Sequence, residues 1–121
     1  MTISEVSEKY EMTADTLRYY ERIGLIPRVP RKSNGIRDYD ETSCHWVSFI
    51  KCMRSAGVQI DALIEYVNLM QQAGSEEKRL TILKEQRDKL ADKMKTLQAT
   101  IERLNYKIDV YNQKLSKWNA N

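Results

Sequence analysis

Histidine and phenylalanine each occur once, cysteine and proline twice, and glycine four times in the 121 residues. Two cysteines, Cys44 and Cys52, make no disulfide framework, and a reducing compartment would keep both as thiols. The single histidine, His45, leaves a cysteine nucleophile without the usual general base, so no enzyme is expected and no catalytic residue is assigned. No stretch approaches the roughly 20 apolar residues of a membrane span. The first residues, Met1-Thr2-Ile3-Ser4-Glu5, lack a charged-then-apolar signal segment, so a cytoplasmic protein with no membrane partner is expected. At 14.2 kDa the chain accommodates one small domain and an extension, not a multidomain enzyme.

Charge of one sign is scarce overall but not locally. Residues 1–72 carry nine basic and ten acidic side chains, and residues 73–121 carry eleven and seven. Between Arg18 and Arg37 stand six cations, Arg18, Arg22, Arg28, Arg31, Lys32 and Arg37, against one acid, Glu21. Each cation that reaches a phosphate releases condensed counterions, the main sequence-independent drive for binding nucleic acid. A solvated basic loop is the alternative, and the flanking pattern separates the two.

Ile3, Val6, Ser7 and Tyr10 share one face of a short helix. Thr13 then offers a hydroxyl N-cap to a second helix that runs to Ile23 and stops at Gly24. Two prolines and Asn34-Gly35 predict a short basic β-hairpin with a type I′ turn. Asp40 caps a third helix bearing Val47, Phe49, Ile50 and Met53, and Ile60, Leu63, Ile64 and Val67 mark a fourth. After Gly74-Ser75, an apolar seam repeats with spacings of three and four: Leu80, Leu83, Arg87, Leu90, Met94, Leu97, Ile101, Leu104, Ile108, Tyr111, Leu115 and Trp118, with Arg87 alone polar. So narrow a stripe needs a partner helix. With no second helix of that length in the chain, the partner is expected to be another copy, and Leu83, Leu90, Met94, Leu97, Ile101, Leu104, Ile108 and Tyr111 are assigned to dimerisation.

The expected fold class is therefore mostly α. Residues 1–73 form a winged helix-turn-helix DNA-binding domain and residues 74–121 a long coiled-coil dimerisation helix. In a winged helix-turn-helix the second helix enters a major groove and the wing grips phosphates. Thr13, Thr16, Arg18, Tyr19 and Tyr20 suit that role, because hydroxyls and guanidinium groups bond phosphate oxygens or base edges. Lys32 and Arg37 carry the same chemistry in the wing. Adjacent helical residues lie about 100° apart, so Tyr19 and Tyr20 cannot both face the duplex.

The run Thr16-Leu17-Arg18-Tyr19-Tyr20-Glu21-Arg22-Ile23-Gly24-Leu25-Ile26-Pro27, followed by Asn34-Gly35-Ile36-Arg37-Asp38-Tyr39, resembles the amino-terminal signature of MerR-family transcriptional regulators. The resemblance continues through Phe49-Ile50-Lys51 and Gly57 into the last helix. It implies a homodimer joined by an antiparallel coiled coil and bound to a pseudo-palindromic operator in double-stranded promoter DNA. Activation would come from distorting the promoter spacer for RNA polymerase, in a nucleoid-associated setting. It also implies backbone contacts by Arg18, Tyr19, Arg37 and Tyr39. Gln59 departs from the family's frequent serine or threonine cap, so the fourth helix should start less firmly.

No cofactor is expected, and metal sensing finds little support. Metal-responsive members place cysteines where this chain has Gly74-Ser75-Glu76, and no cysteine follows Cys52. His45 and Cys52 lie seven residues apart, roughly 10 Å along a helix, too far for one ion bound at about 2.0–2.3 Å. Large-ligand members append an effector domain, whereas only Asn119-Ala120-Asn121 follows the seam. What remains is Cys52, flanked by Lys51 and Arg54, cations of the kind that favour a thiolate, although helical neighbours point apart. The run Phe49 to Val58 is similar to the aldehyde-responsive AdhR/NmlR-like branch, which implies a sensor thiol at Cys52 and a small electrophile as effector. Cys44 falls on the inward face, and His45 falls on the surface. The alternative is a constitutive or architectural DNA-binding protein in which Cys52 only fills space.

Overall fold

The computed structural model describes residues 1–119, the side chain of Asn119 excepted. Ala120 and Asn121, at the end of the expected coiled-coil segment, lie outside the described residues. Five helices follow one another: α1 (Ile3–Tyr10), α2 (Ala14–Arg22), α3 (Glu41–Ser55), α4 (Ile60–Leu69) and α5 (Glu76–Asn119).

Local chemistry sets their boundaries. Thr2 and Glu5 form a capping box on α1, the Glu5 amide donating to Thr2 Oγ1 at 3.2 Å and the Thr2 amide to Glu5 Oε1 at 3.0 Å. Thr13 caps α2 by accepting from the Thr16 amide at 3.1 Å, and Asp40 caps α3 by accepting from the Ser43 amide at 2.8 Å. α4 starts at Gln59 without a side-chain capping bond, as the departure at that position implied. Between α1 and α2, Glu11 takes a left-handed φ of 54°, a conformation ordinarily left to glycine, and it makes the tight turn of the helix-turn-helix.

The chain divides into two compact units, Met1–Gln86 and the residues from Arg87 onward. In the first, α1 packs on α2 and α3, and the core gathers Val6, Leu17, Leu25, Ile26, Val29, Tyr39, Val47, Ile50, Leu63 and Val67. Ile82, in the second turn of α5, is buried in the same unit. Its side chain lies off the apolar seam, so burying it leaves the seam free. In the second unit the seam is open: Leu97, Leu104 and Trp118 expose 63%, 57% and 79% of their surface. No described helix is long and apolar enough to cross a membrane.

The wing differs from the hairpin expected. Its β pairing is one isolated antiparallel bridge, Arg31 to Arg37, with the Lys32 amide donating to the Ile36 carbonyl at 2.8 Å. A type I′ turn needs positive φ at both central residues. Only Gly35 has it, at 84°, while the Gly35 amide donates to the Lys32 carbonyl at 2.9 Å. The loop is therefore the longer kind that ends on a left-handed glycine. The Asn34 side chain accepts from the Ile36 amide at 3.1 Å and closes the tip in place of a second left-handed residue.

Candidate nucleic-acid interface

α2 turns its apolar face inward on Leu17, which is fully buried, and the residues flanking Leu17 define its outer surface. Thr13 and Thr16 are tied together at its start: the Thr13 hydroxyl accepts the Thr16 amide and donates to Thr16 Oγ1 at 2.8 Å. Arg18 is exposed and held by Asp15 at 3.0 Å, a surface pair one turn apart that leaves the guanidinium accessible. Tyr19 is exposed, with the Arg22 guanidinium 5.3 Å from its ring centroid, whereas Tyr20 is half-buried. The two tyrosines thus divide as helical geometry requires.

The wing is fastened to α2 by one carboxylate. Glu21, whose side chain is only 8% exposed, accepts from the Val29 amide at 2.8 Å, from Arg37 Nε at 2.7 Å and from Arg31 Nη2 at 3.4 Å. Burial pushes its carboxyl pKa up, but the Arg37 hydrogen bond, the Val29 amide and the Arg31 charge outweigh that, and the net shift is downward. Arg37, expected to reach DNA, therefore has its Nε committed to an internal partner. Lys32 stays exposed. Glu21 escaped the sequence reading as a functional residue, although a lone acid among six cations was its available signal.

The Tyr39 ring is 1% exposed and belongs to the core in the free protein, and its buried hydroxyl has no hydrogen-bond partner among the described residues. Burial raises the phenol pKa even though Arg37, Arg31 and Arg18 pull it down. A buried unsatisfied hydroxyl costs about 1–3 kcal/mol. Tyr39→Phe should consequently stabilise the free protein by about 1 kcal/mol and raise its melting temperature by about 4–8 °C in thermal denaturation followed by circular dichroism. A lower melting temperature would mean that the hydroxyl is satisfied in solution.

Cys44 is buried, its sulfur 3.8 Å from Met1 Sδ, and His45 is exposed. Cys52 is exposed near the end of α3. Its flanking cations are engaged elsewhere: Lys51 Nζ donates to the Tyr10 carbonyl and Arg54 Nη1 to the Val58 carbonyl at 2.6 Å. Both head groups brace neighbouring backbone. On the same face, Phe49 lies one turn before Cys52 and lines an open cavity of about 280 Å³ with Thr42, His45, Trp46 and Tyr66. Among the described residues, no group of three or more His, Cys, Asp or Glu is placed to hold a metal ion.

Comparison with known proteins agrees with this arrangement. The family model described as MerR HTH family regulatory protein matches residues 1–69, and one described as MerR, DNA binding, matches residues 44–106. The HTH-type transcriptional regulator AdhR of Bacillus subtilis is 52% identical over 93 residues, 76% of this chain and 66% of AdhR, so the match spans just under two thirds of that protein. A MerR family transcriptional regulator from Listeria monocytogenes superposes with a TM-score of 0.90 at 38% identity, covering 99% of this chain and 97% of that one. HiNmlR, a MerR family regulator lacking the sensor domain and solved bound to promoter DNA, superposes with a TM-score of 0.82 at 25% identity, covering 93% and 90%. Because the first family model spans more than half of the chain, residues 1–69, and those residues fold as a helix-turn-helix with a basic wing, this protein belongs to the MerR family of helix-turn-helix regulatory proteins.

Proposed function

We propose that the protein is a homodimeric transcription activator of the cytoplasm that binds a pseudo-palindromic operator in promoter DNA and responds to reactive aldehydes or related electrophiles through Cys52. Residues 1–73 bind the DNA, and residues 74–121 pair with a second copy as an antiparallel coiled coil. The observation that carries the dimer is the seam, apolar at every position but Arg87 and solvent-exposed from Met94 to Trp118. Such a stripe is stable in water only when another helix covers it.

At the DNA, Thr13, Arg18, Tyr19 and Lys32 present exposed surface, and Thr16, Tyr20 and Arg37 are half-buried behind them. The Tyr39 hydroxyl would gain its missing hydrogen bond from a phosphate oxygen once DNA binding uncovers it at the wing root. Tyr39→Phe, although more stable, is therefore expected to bind promoter DNA more weakly. HiNmlR, solved bound to promoter DNA, supports promoter DNA as the partner. The dimer would distort the promoter spacer so that RNA polymerase engages both promoter elements.

For sensing, support comes from the identity to AdhR, from the Phe49–Val58 run and from the accessibility of the thiol. The sulfur of ionised Cys52 attacks the carbonyl carbon of an aldehyde. A C–S bond forms, the carbonyl π pair moves to oxygen, and a proton from water completes a hemithioacetal with no leaving group. With the Lys51 and Arg54 head groups bonded to backbone carbonyls rather than to the thiol, a second reading stands beside it, constitutive DNA binding with a structural Cys52.

Cys52→Ala separates the two. In transcription in vitro from the protein's own promoter, wild type should respond to a small aldehyde such as methylglyoxal. The variant should bind the same DNA without responding. Equal responses would sink the thiol reading, and no response from either to aldehydes or oxidants would favour constitutive binding.

A further inference from the structure

Six cations crowd the segment from Arg18 to Arg37, yet the structure does not present all six freely to solvent. One carboxylate, Glu21, contacts both Arg31 and Arg37, the two residues that form the single bridge of the wing. The same carboxylate accepts the Val29 amide at the wing root. Glu21 itself stands on α2, one turn after Leu17 and beside Tyr20. A guanidinium bonds a carboxylate and a phosphate through the same planar donors, so Glu21 occupies the kind of partner that DNA would supply.

We infer that Glu21 is a positioning residue that sets sequence specificity, acting as an internal substitute for phosphate on Arg31 and Arg37. The inference rests on the DNA-binding role of the chain and concerns how that role is made selective.

Two physical effects push the same way. Binding to random DNA is almost wholly electrostatic, so an internal anion that occupies two arginines weakens it directly. Binding to a chosen sequence also draws on base contacts and DNA shape, which require the wing and α2 to keep one relative geometry. The three bonds to Glu21 supply that geometry before DNA arrives, which removes an ordering cost at the moment of binding. Glu21 thus subtracts from the indiscriminate part of the affinity and adds to the selective part.

Glu21→Gln tests the idea, because the Gln amide oxygen still accepts the Val29 amide while the charge is gone. Binding is measured from 50 to 200 mM salt, to a random-sequence duplex and to a duplex selected from a random pool by the wild type. For the random duplex, the slope of log affinity against log salt should steepen by about one for each arginine released, and low-salt affinity should rise about threefold per arginine. The ratio of selected to random affinity should fall about tenfold.

Glu21→Asp keeps the charge and should keep the wild-type slope on random DNA. An unchanged slope and ratio in Glu21→Gln would overturn the inference. So would an equal loss on both duplexes with a lower melting temperature, or an Asp variant that steepens like Gln. If wild type selects no sequence at all, sequence-specific DNA binding fails and the inference falls with it, an outcome distinct from the other three.

Discussion

Lysine at both Leu97 and Leu104 should convert the protein to a monomer and abolish measurable promoter binding. The two side chains expose 63% and 57% of their surface and sit one heptad apart on the seam. In a symmetric antiparallel pair, each substitution is met twice, so four ammonium groups enter the packed interface of one dimer. An unpaired buried charge costs several kcal/mol, in addition to the lost leucine packing. DNA binding falls with the dimer because each half-site is then held by an independent head, without the effective concentration that joining the two provides. Light scattering coupled to size exclusion reads the mass, and fluorescence anisotropy on promoter DNA reads the binding. Ala99→Lys, exposed and off the seam, is the matched control and should remain dimeric. A double-lysine variant that still runs as a dimer and binds normally would refute the coiled-coil reading.

Leu17→Ala is expected to cost about 2–5 kcal/mol and to leave the DNA-binding unit largely unfolded near physiological temperature. Leu17 is fully buried and is the one buried residue of α2, so no neighbour on that helix can take its place against the core. The cavity it leaves lies directly beneath the face that carries Arg18 and Tyr19. For a unit of this size each kcal/mol lowers the melting temperature by about 4–8 °C, so a loss of at least about 8 °C should be seen in thermal melts. Promoter affinity should fall in parallel and recover on cooling. A melting temperature within 3 °C of wild type would mean that the core closes over the gap, and the packing account of α2 would be wrong.

The helices were largely legible in advance because the interactions that start and stop them are local. Thr13 and Asp40 cap the amides three residues ahead, and Gly24, Gly35, Gly57 and Gly74 take the positive φ that ends helices or closes turns. The seam of α5 was equally plain, since a repeat of three and four is a property of spacing alone. The wing was half legible: its position followed from the two prolines and Asn34-Gly35. Its turn did not, because Asn34-Gly35 is compatible with more than one loop length.

The candidate site was read less completely. Thr13, Arg18, Tyr19 and Lys32 fell on the exposed surface as their residue types and register implied. Tyr39 did not, because whether a tyrosine after the wing points out or in depends on the packing of α1, α3 and the wing around it. Cys52 is exposed, whereas its position in the chain left open whether it is a reactive thiol or a space-filling side chain. Lys51 and Arg54 lie within two residues of it in the chain, but their long side chains reach the carbonyl of Tyr10 on α1 and that of Val58 just past the end of α3.

Periodicity, capping and charge density, all of them relations among residues a few positions apart, were enough to establish a helical DNA-binding head, a basic wing and a helix that needs a second helix. Which cations remain free could not be found that way. Glu21 meets Val29, Arg31 and Arg37 across eight, ten and sixteen residues of chain, and its choice among six nearby cations depends on how the wing folds back on α2. Charge pairing depends on distance and burial in three dimensions, and along the chain those six arginines and lysines look alike.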